Sequence, residues 1–161
     1  MIETSFHIKH FKTIAKHKWY TGIECFKLGL YWQGLVHDLS KFSVCEFSES
    51  AKYYQGTHTP IDRAKEVKGH SLAWLHHKGK NKHHWHYWTD FRNGKVYSVG
   101  IPDKYLKEMA CDIVGASKSY LGGKYNPSEP IKYLEKKIDG WVMKESDKVR
   151  VRNILKEITK T

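Results

Sequence analysis

Apolar positions recur at helical spacing over most of the chain, and interruptions of that spacing cut it into short segments. From residue 5 to about 28, Phe6, Phe11, Ile14, Tyr20 and Phe26 form an imperfect helical stripe. The spacing predicts a second helix from Gln33 to about Lys41. Ser43-Val44-Cys45-Glu46 has the pattern of a capping box and opens a third helix reaching about Tyr54. Gln55 to Pro60 reads as a loop, and one helix is expected from Asp62 or Lys65 to Lys78. Gly79-Lys80-Asn81 interrupts it before a short helical stretch from His83 to about Trp88. Asn93-Gly94, between Phe91 and the alternating Val96, Tyr97 and Val99, is a two-residue hairpin signal. Pro102 suits the first turn of a long helix to about Leu121, which Gly122-Gly123 ends. Pro127 and Pro130 precede a helix to about Ile138. Ser146 is expected to cap a last helix with an apolar face of Val149, Ile154, Leu155 and Ile158. The expected fold class is all-α, a helical bundle with a small β-hairpin near residues 91–99.

A length of 161 residues suits one domain, and 40% hydrophobic with 14% aromatic residues suits a globular one. The formal net charge of +11 implies an anionic partner, which charge alone leaves open between nucleotide, nucleic acid and membrane surface. Cys25, Cys45 and Cys111 are odd in number and widely spaced, so neither a disulfide framework nor a thiolate zinc knuckle is expected. No signal-peptide profile opens the chain, and no apolar run approaches the roughly 20 residues that span a bilayer. The expectation is a cytoplasmic protein without a membrane partner.

The chemistry centres on His37-Asp38, an imidazole beside a carboxylate that can bridge two cations. Apolar Leu35, Val36 and Leu39 around it imply a partly buried helix face, where a carboxylate needs a partner. Lys41 is one turn on, as a phosphate anchor or as a plain helix salt bridge. His17 lies 20 positions before His37, about 30 Å along a straight helix, so the chain must turn back at Gly22 or Gly29 if the two are to meet. Between residues 76 and 84 come His76, His77, His83 and His84, four histidines across a glycine break. Two or three of them are expected to be ligands, against the plainer reading of a metal-scavenging surface loop. Asn81 and Lys82 sit where a loop could meet a phosphate, whereas Trp74, Trp85 and Trp88 read as core. Asp112, among small and apolar neighbours, looks inward as a ligand or as a buried salt-bridge partner. Lys118 and Tyr120 are within reach of the same pocket. His7, His10, His58, His70 and His86 have no spacing that favours coordination.

The order His17, His37-Asp38, the doublets His76-His77 and His83-His84, then Asp112 resembles the HD-domain metal-dependent phosphohydrolase superfamily. His37-Asp38-Leu39-Ser40-Lys41 is similar to the His-Asp-x-Gly-Lys stretch of the branch that cleaves cyclic dinucleotides. The Gly-Tyr-Pro that follows the paired histidines there is absent here, so that specificity is not implied. Phrases such as His-Asp-Leu-Ser-Lys-Phe and Asn-Lys-His-His-Trp resemble an uncharacterised family of short bacterial and phage proteins more closely. The resemblance spans about 100 residues and implies an all-helical HD-like domain with a one- or two-metal centre of Mn, Fe, Co, Ni, Zn or Mg. By that analogy His17, His37, Asp38 and Asp112 hold one metal, and Asp38 bridges to another held by histidines of the 76–84 region. The implied activity is hydrolysis of a nucleotide or other phosphoester, with Asp38 and Lys41 catalytic and Lys41, Asn81, Lys82 and Lys118 binding substrate. A di-iron oxygenase, a basic nucleic-acid-binding module with a structural metal, and a histidine–asparagine–histidine nuclease are the rival readings, the nuclease ranking last.

Overall fold

The computed structural model describes residues 2–56 and 59–160, with side chains from residue 7 onward. It is all-α with one small hairpin. The elements are α1 (Ile2–Lys27), α2 (Tyr31–Val36), α3 (Val44–Lys52), α4 (Pro60–Lys68), α5 (Leu72–Lys80), β1 (Thr89–Arg92), β2 (Lys95–Ser98), α6 (Asp103–Leu121), α7 (Ser128–Lys137) and α8 (Glu145–Thr159). Short 3₁₀ turns at Leu39–Phe42 and Trp85–Trp88 join some of them.

The expected reversal after α1 occurs at Gly29, whose φ of +72° needs no side chain. Asn93 and Gly94 both adopt positive φ, as a two-residue hairpin turn requires, and pair Thr89 with Ser98 through Arg92 with Lys95. α2 stops at Val36 rather than continuing to Lys41. The single helix expected over 62–78 is two helices, because Gly69 ends α4 at φ +75° and Ser71 caps α5 by accepting from Trp74 N. His83 and His84 precede a 3₁₀ turn rather than opening an α-helix. Pro130 lies inside the first turn of α7, where no intrahelical N–H is needed. α8 begins one residue before Ser146, which is therefore not its cap. Its buried face is Val151, Ile154 and Leu155, with Ile158 packed on the same cluster, while Val149 is exposed.

The apolar core lies on one side of α6. Leu106, Met109 and Val114 pack there with Leu134 and Ile138 from the α7 region and with Leu155 from α8. The other side of α6 meets α1. Gly115 permits that approach, since a Cβ there would come within 2.8 Å of Thr21 N. This α1–α6 seam is largely polar, burying His17, Thr21, Glu24 and Glu108 beside the facing Cys25 and Cys111. A polar seam between the two longest helices is where the candidate chemistry sits.

Candidate metal centre

His37 and Asp38 lie not on a helix face but at the break after α2. His37 ends α2 with φ −49° and ψ 126°, and Asp38 takes the left-handed conformation at φ 54° and ψ 22°. Aspartate accepts that conformation better than most residues, and such backbone persists where surrounding contacts over-determine it. Both side chains are almost fully buried. Lys41, in the following 3₁₀ turn, brings Nζ to 2.5 Å from Asp38 Oδ2.

The break delivers His37 and Asp38 to the seam, where His17 of α1 and Asp112 of α6 complete one group. His17 Nε2 is 3.0 Å from both Asp38 Oδ2 and Asp112 Oδ1. His37 Nε2 is 3.3 Å from each of the same two oxygens, and from His17 Nε2. Donor atoms at about 2.0–2.1 Å around one cation in a tetrahedron are about 3.3 Å apart. Two imidazole nitrogens and two carboxylate oxygens therefore stand at the spacing of one coordination shell.

The other oxygen of Asp38 faces a second group. Asp38 Oδ1 lies 3.3 Å from His77 Nε2 and 3.4 Å from His83 Nε2, and His84 joins them within ligand reach. Asp38 Oδ1, His83 Nε2 and His84 Nε2 are buried without a hydrogen-bond partner. Unpartnered buried polar atoms are costly, and here they gather in one place. A cation satisfies them together, so the donor set fits a second ion. Asp38 is common to both groups, one oxygen in each.

Carboxylates behind the imidazoles fix their orientation. Glu108, one turn before Asp112 on α6, places Oε1 3.0 Å from His37 Nδ1 and 3.2 Å from His83 Nδ1, serving one histidine of each group. Glu46 receives His77 Nδ1 and His76 Nδ1, each at 2.7 Å. Ser43 Oγ accepts from Glu46 N as the capping pattern predicts, but the glutamate side chain goes to the histidines instead of back to Ser43. A carboxylate on Nδ1 leaves Nε2 as the free lone pair, the arrangement metal-binding histidines use. Sequence reasoning missed Glu108 and the second role of Glu46. The helical offset of four between Glu108 and Asp112 was the available signal.

Ionisation follows from these contacts. Burial works against the charge of Asp38, but His37, Lys41 and His77 outweigh it and hold the carboxyl well below its usual range. Burial likewise opposes Asp112, and hydrogen bonds from His17 and His37 hold it well below. Burial would depress His37, yet the charge of Asp38 and hydrogen bonds to Asp112, Asp38 and Glu108 raise it well above an ordinary histidine. Burial lowers His77, and lowers His84 strongly with help from the charges of His83 and His77. The site is thus a buried set of carboxylates that demands positive charge.

A family model matches residues 6–161, that of DUF5662, described as a family of unknown function. The chain belongs to this family. Neither a curated protein nor a solved structure matches it. The DUF5662 match runs through α8, and so takes in the C-terminal helices that share the apolar core with α6.

In this DUF5662 member His17, His77, His83, His84 and Asp112 line a cleft of about 640 Å³, with Lys41, Lys65, Trp74, Trp85, Tyr120 and Tyr133, while His37 and Asp38 lie buried behind them. Trp85 and Trp88 pack on the core as expected, Trp85 also bordering the cleft, while Trp74 borders the cleft without joining that core. Of the histidines expected as ligands, His17, His37, His77, His83 and His84 enter the two groups with Asp38 and Asp112. His76 does not; it is part-exposed and held by Glu46. Three expected substrate contacts are placed otherwise. Asn81 is turned to the scaffold, donating to Ser40 Oγ and His77 O. Lys82 is exposed, with Nζ over the rings of Tyr87 and Tyr105. Lys118 pairs with Glu24 at 2.6 Å, lining a separate small pocket with Tyr125 and Ile158. Lys41 alone of the four borders the cleft. His7, His10, His70 and His86 belong to neither group, and His58 lies outside the described residues.

Proposed function

We propose that the protein is a metal-dependent phosphohydrolase acting on a nucleotide or another phosphoester. The observation that carries this reading is the division of Asp38, whose Oδ2 meets His17 and His37 while Oδ1 stands unpartnered among His77, His83 and His84. Divalent ions held there, from the set Mn, Fe, Co, Ni, Zn or Mg, supply a water of lowered pKa and neutralise phosphoryl charge. Lys41 borders the cleft and touches Asp38, so its ammonium keeps that carboxylate ionised and offers its other N–H donors to an anionic group. Trp74 and Trp85 present aromatic surface to whatever the phosphate is attached to. The HD-like order of histidine, His-Asp, further histidines and a late aspartate supports the same reading.

The test is a screen of the purified chain against 5′-monophosphates, cyclic nucleotides and oligonucleotide messengers with each of these metals. Turnover is expected with one metal, and Asp38→Asn should abolish it while helical circular dichroism persists. Undiminished turnover in Asp38→Asn, or no turnover with any metal, would sink the reading. Imidazole and carboxylate also suit iron. A mixed-valence di-iron signal in anaerobically purified protein would replace hydrolysis by oxygen activation.

A further inference from the structure

Helix α1 turns much of its polarity inward. Its inward face buries His10, His17, Thr21 and Glu24 beside Ile14 and Cys25, while Ile8, Phe11, Ala15, Trp19, Ile23 and Phe26 are exposed. At 100° per residue these six fall within an arc of about 120°, a continuous apolar ridge along the helix. Phe42 stacks edge-on beside Phe11 at 5.6 Å, and Tyr31 beside Phe26 at 5.5 Å, widening the ridge at both ends. Trp19 is 68% exposed and Trp32 70%. Solvated patches of this kind mark interaction surfaces.

The ridge is symmetric in sequence. Its positions pair as 8 with 26, 11 with 23 and 15 with 19 about residue 17. We propose that the protein is a two-fold symmetric dimer in which α1 packs antiparallel against α1 of a second copy at the level of residue 17. Ile8 then meets Phe26 of the second copy, Phe11 meets Ile23, and Trp19 covers Ala15 in both halves of the contact. Lys12, the one charged residue inside the arc among the described residues, falls at the level of Gly22 of the second copy, where Gly34 of α2 lies close by, so its ammonium turns outward to solvent. Such self-complementarity is what a closed two-fold interface requires. The area is of the right size as well. Seven side chains, the five large ones of the ridge with Tyr31 and Phe42, are about half exposed on average. At of the order of 200 Å² for a full side chain they amount to about 700 Å², near the roughly 800 Å² per partner of a standard interface.

The rim separates a second copy from an anionic surface. Lys12 and Lys16 are exposed in and beside the ridge, so dimerisation brings like charges nearer and salt should strengthen it by screening. Binding to anionic lipid would weaken with salt.

Sedimentation equilibrium of the full chain tests this. The expected mass approaches twice 18.9 kDa with rising concentration, and association tightens with salt. Trp19→Ala should weaken the dimer by roughly tenfold or more, as loss of a central aromatic anchor does. Ala15→Trp combined with Trp19→Ala should restore it, because 15 and 19 face each other across the dyad. Circular dichroism confirms folding, and Ile23→Lys replaces Trp19→Ala if that variant fails to fold. The proposal is overturned by a monomer at every concentration, by a dimer indifferent to Trp19→Ala, or by a double variant no better than the single. A monomer that floats with phosphatidylglycerol vesicles also overturns it, in favour of a lipid surface.

Discussion

Glu108 is the residue on which both donor groups depend, since one carboxylate oxygen stands behind His37 and His83 together. Glu46 stands behind His77 alone among the candidate ligands. Glu108→Gln is therefore expected to lower affinity for both ions by about 10–100-fold, the usual effect of losing a carboxylate behind a ligating histidine. Glu46→Gln should act on the second ion only, and His76→Ala on neither. Chelator competition with metal stoichiometry reads all three, and equal losses at both sites in the two glutamate variants would contradict this division. Asp38 offers a further contrast, because its left-handed backbone separates the ligand role from the conformational one. Asp38→Asn and Asp38→Ala both remove the bridging carboxylate, but asparagine tolerates φ 54° and alanine does not. In chelator the alanine variant should be less stable by about 1 kcal/mol, measured by urea unfolding.

At the scale of elements, the site depends on how closely α1 and α6 approach. Gly115→Ala drives a Cβ against Thr21, in the seam that also holds His17 and Asp112. Overpacking of this kind costs about 1–3 kcal/mol, so the melting temperature should fall by several degrees. Metal affinity should fall with it, and a variant of unchanged stability would show that the seam can yield. The same elements show what the sequence made legible. Residues with local causes read correctly: Gly29 at the turn, Asn93-Gly94 in the hairpin and Ser43 at the head of α3. The break at Asp38 did not, because Val36 to Lys41 has no local helix stopper. Its left-handed backbone goes with a side chain held by His17 and His77 from elsewhere in the fold and by the neighbouring Lys41. Gly69 and Ser71 carried a local signal that the surrounding helical spacing obscured. The histidines and aspartates could be selected by chemistry, but choosing His77 over His76 requires knowing which ring α5 turns inward.

For the whole molecule, proton and metal compete for the same buried charge, and the two sides of neutrality should respond differently. Burial lowers His10 and His86 to about 4, and lowers His77 and His84 too. These groups contribute stability that is present above the unfolded value of about 6.5 and lost as pH falls toward their folded values. His37 has the opposite sign. Burial opposes its charge but Asp38 and the neighbouring carboxylates raise it, so its contribution is full below about 6.5 and lost as pH rises through the raised value. Metal-free protein in chelator should accordingly be most stable near pH 6.5 and weaken in both directions. A ligating His37 must be neutral, so alkaline conditions favour the ion while they weaken the empty fold. The melting temperature gained on adding metal should then widen steadily from pH 6.5 upward and shrink toward pH 5, where protons reclaim the imidazoles. Scanning calorimetry with and without metal across that range reads both curves. Parallel curves above pH 6.5 would mean that His37 does not exchange its proton for the ion.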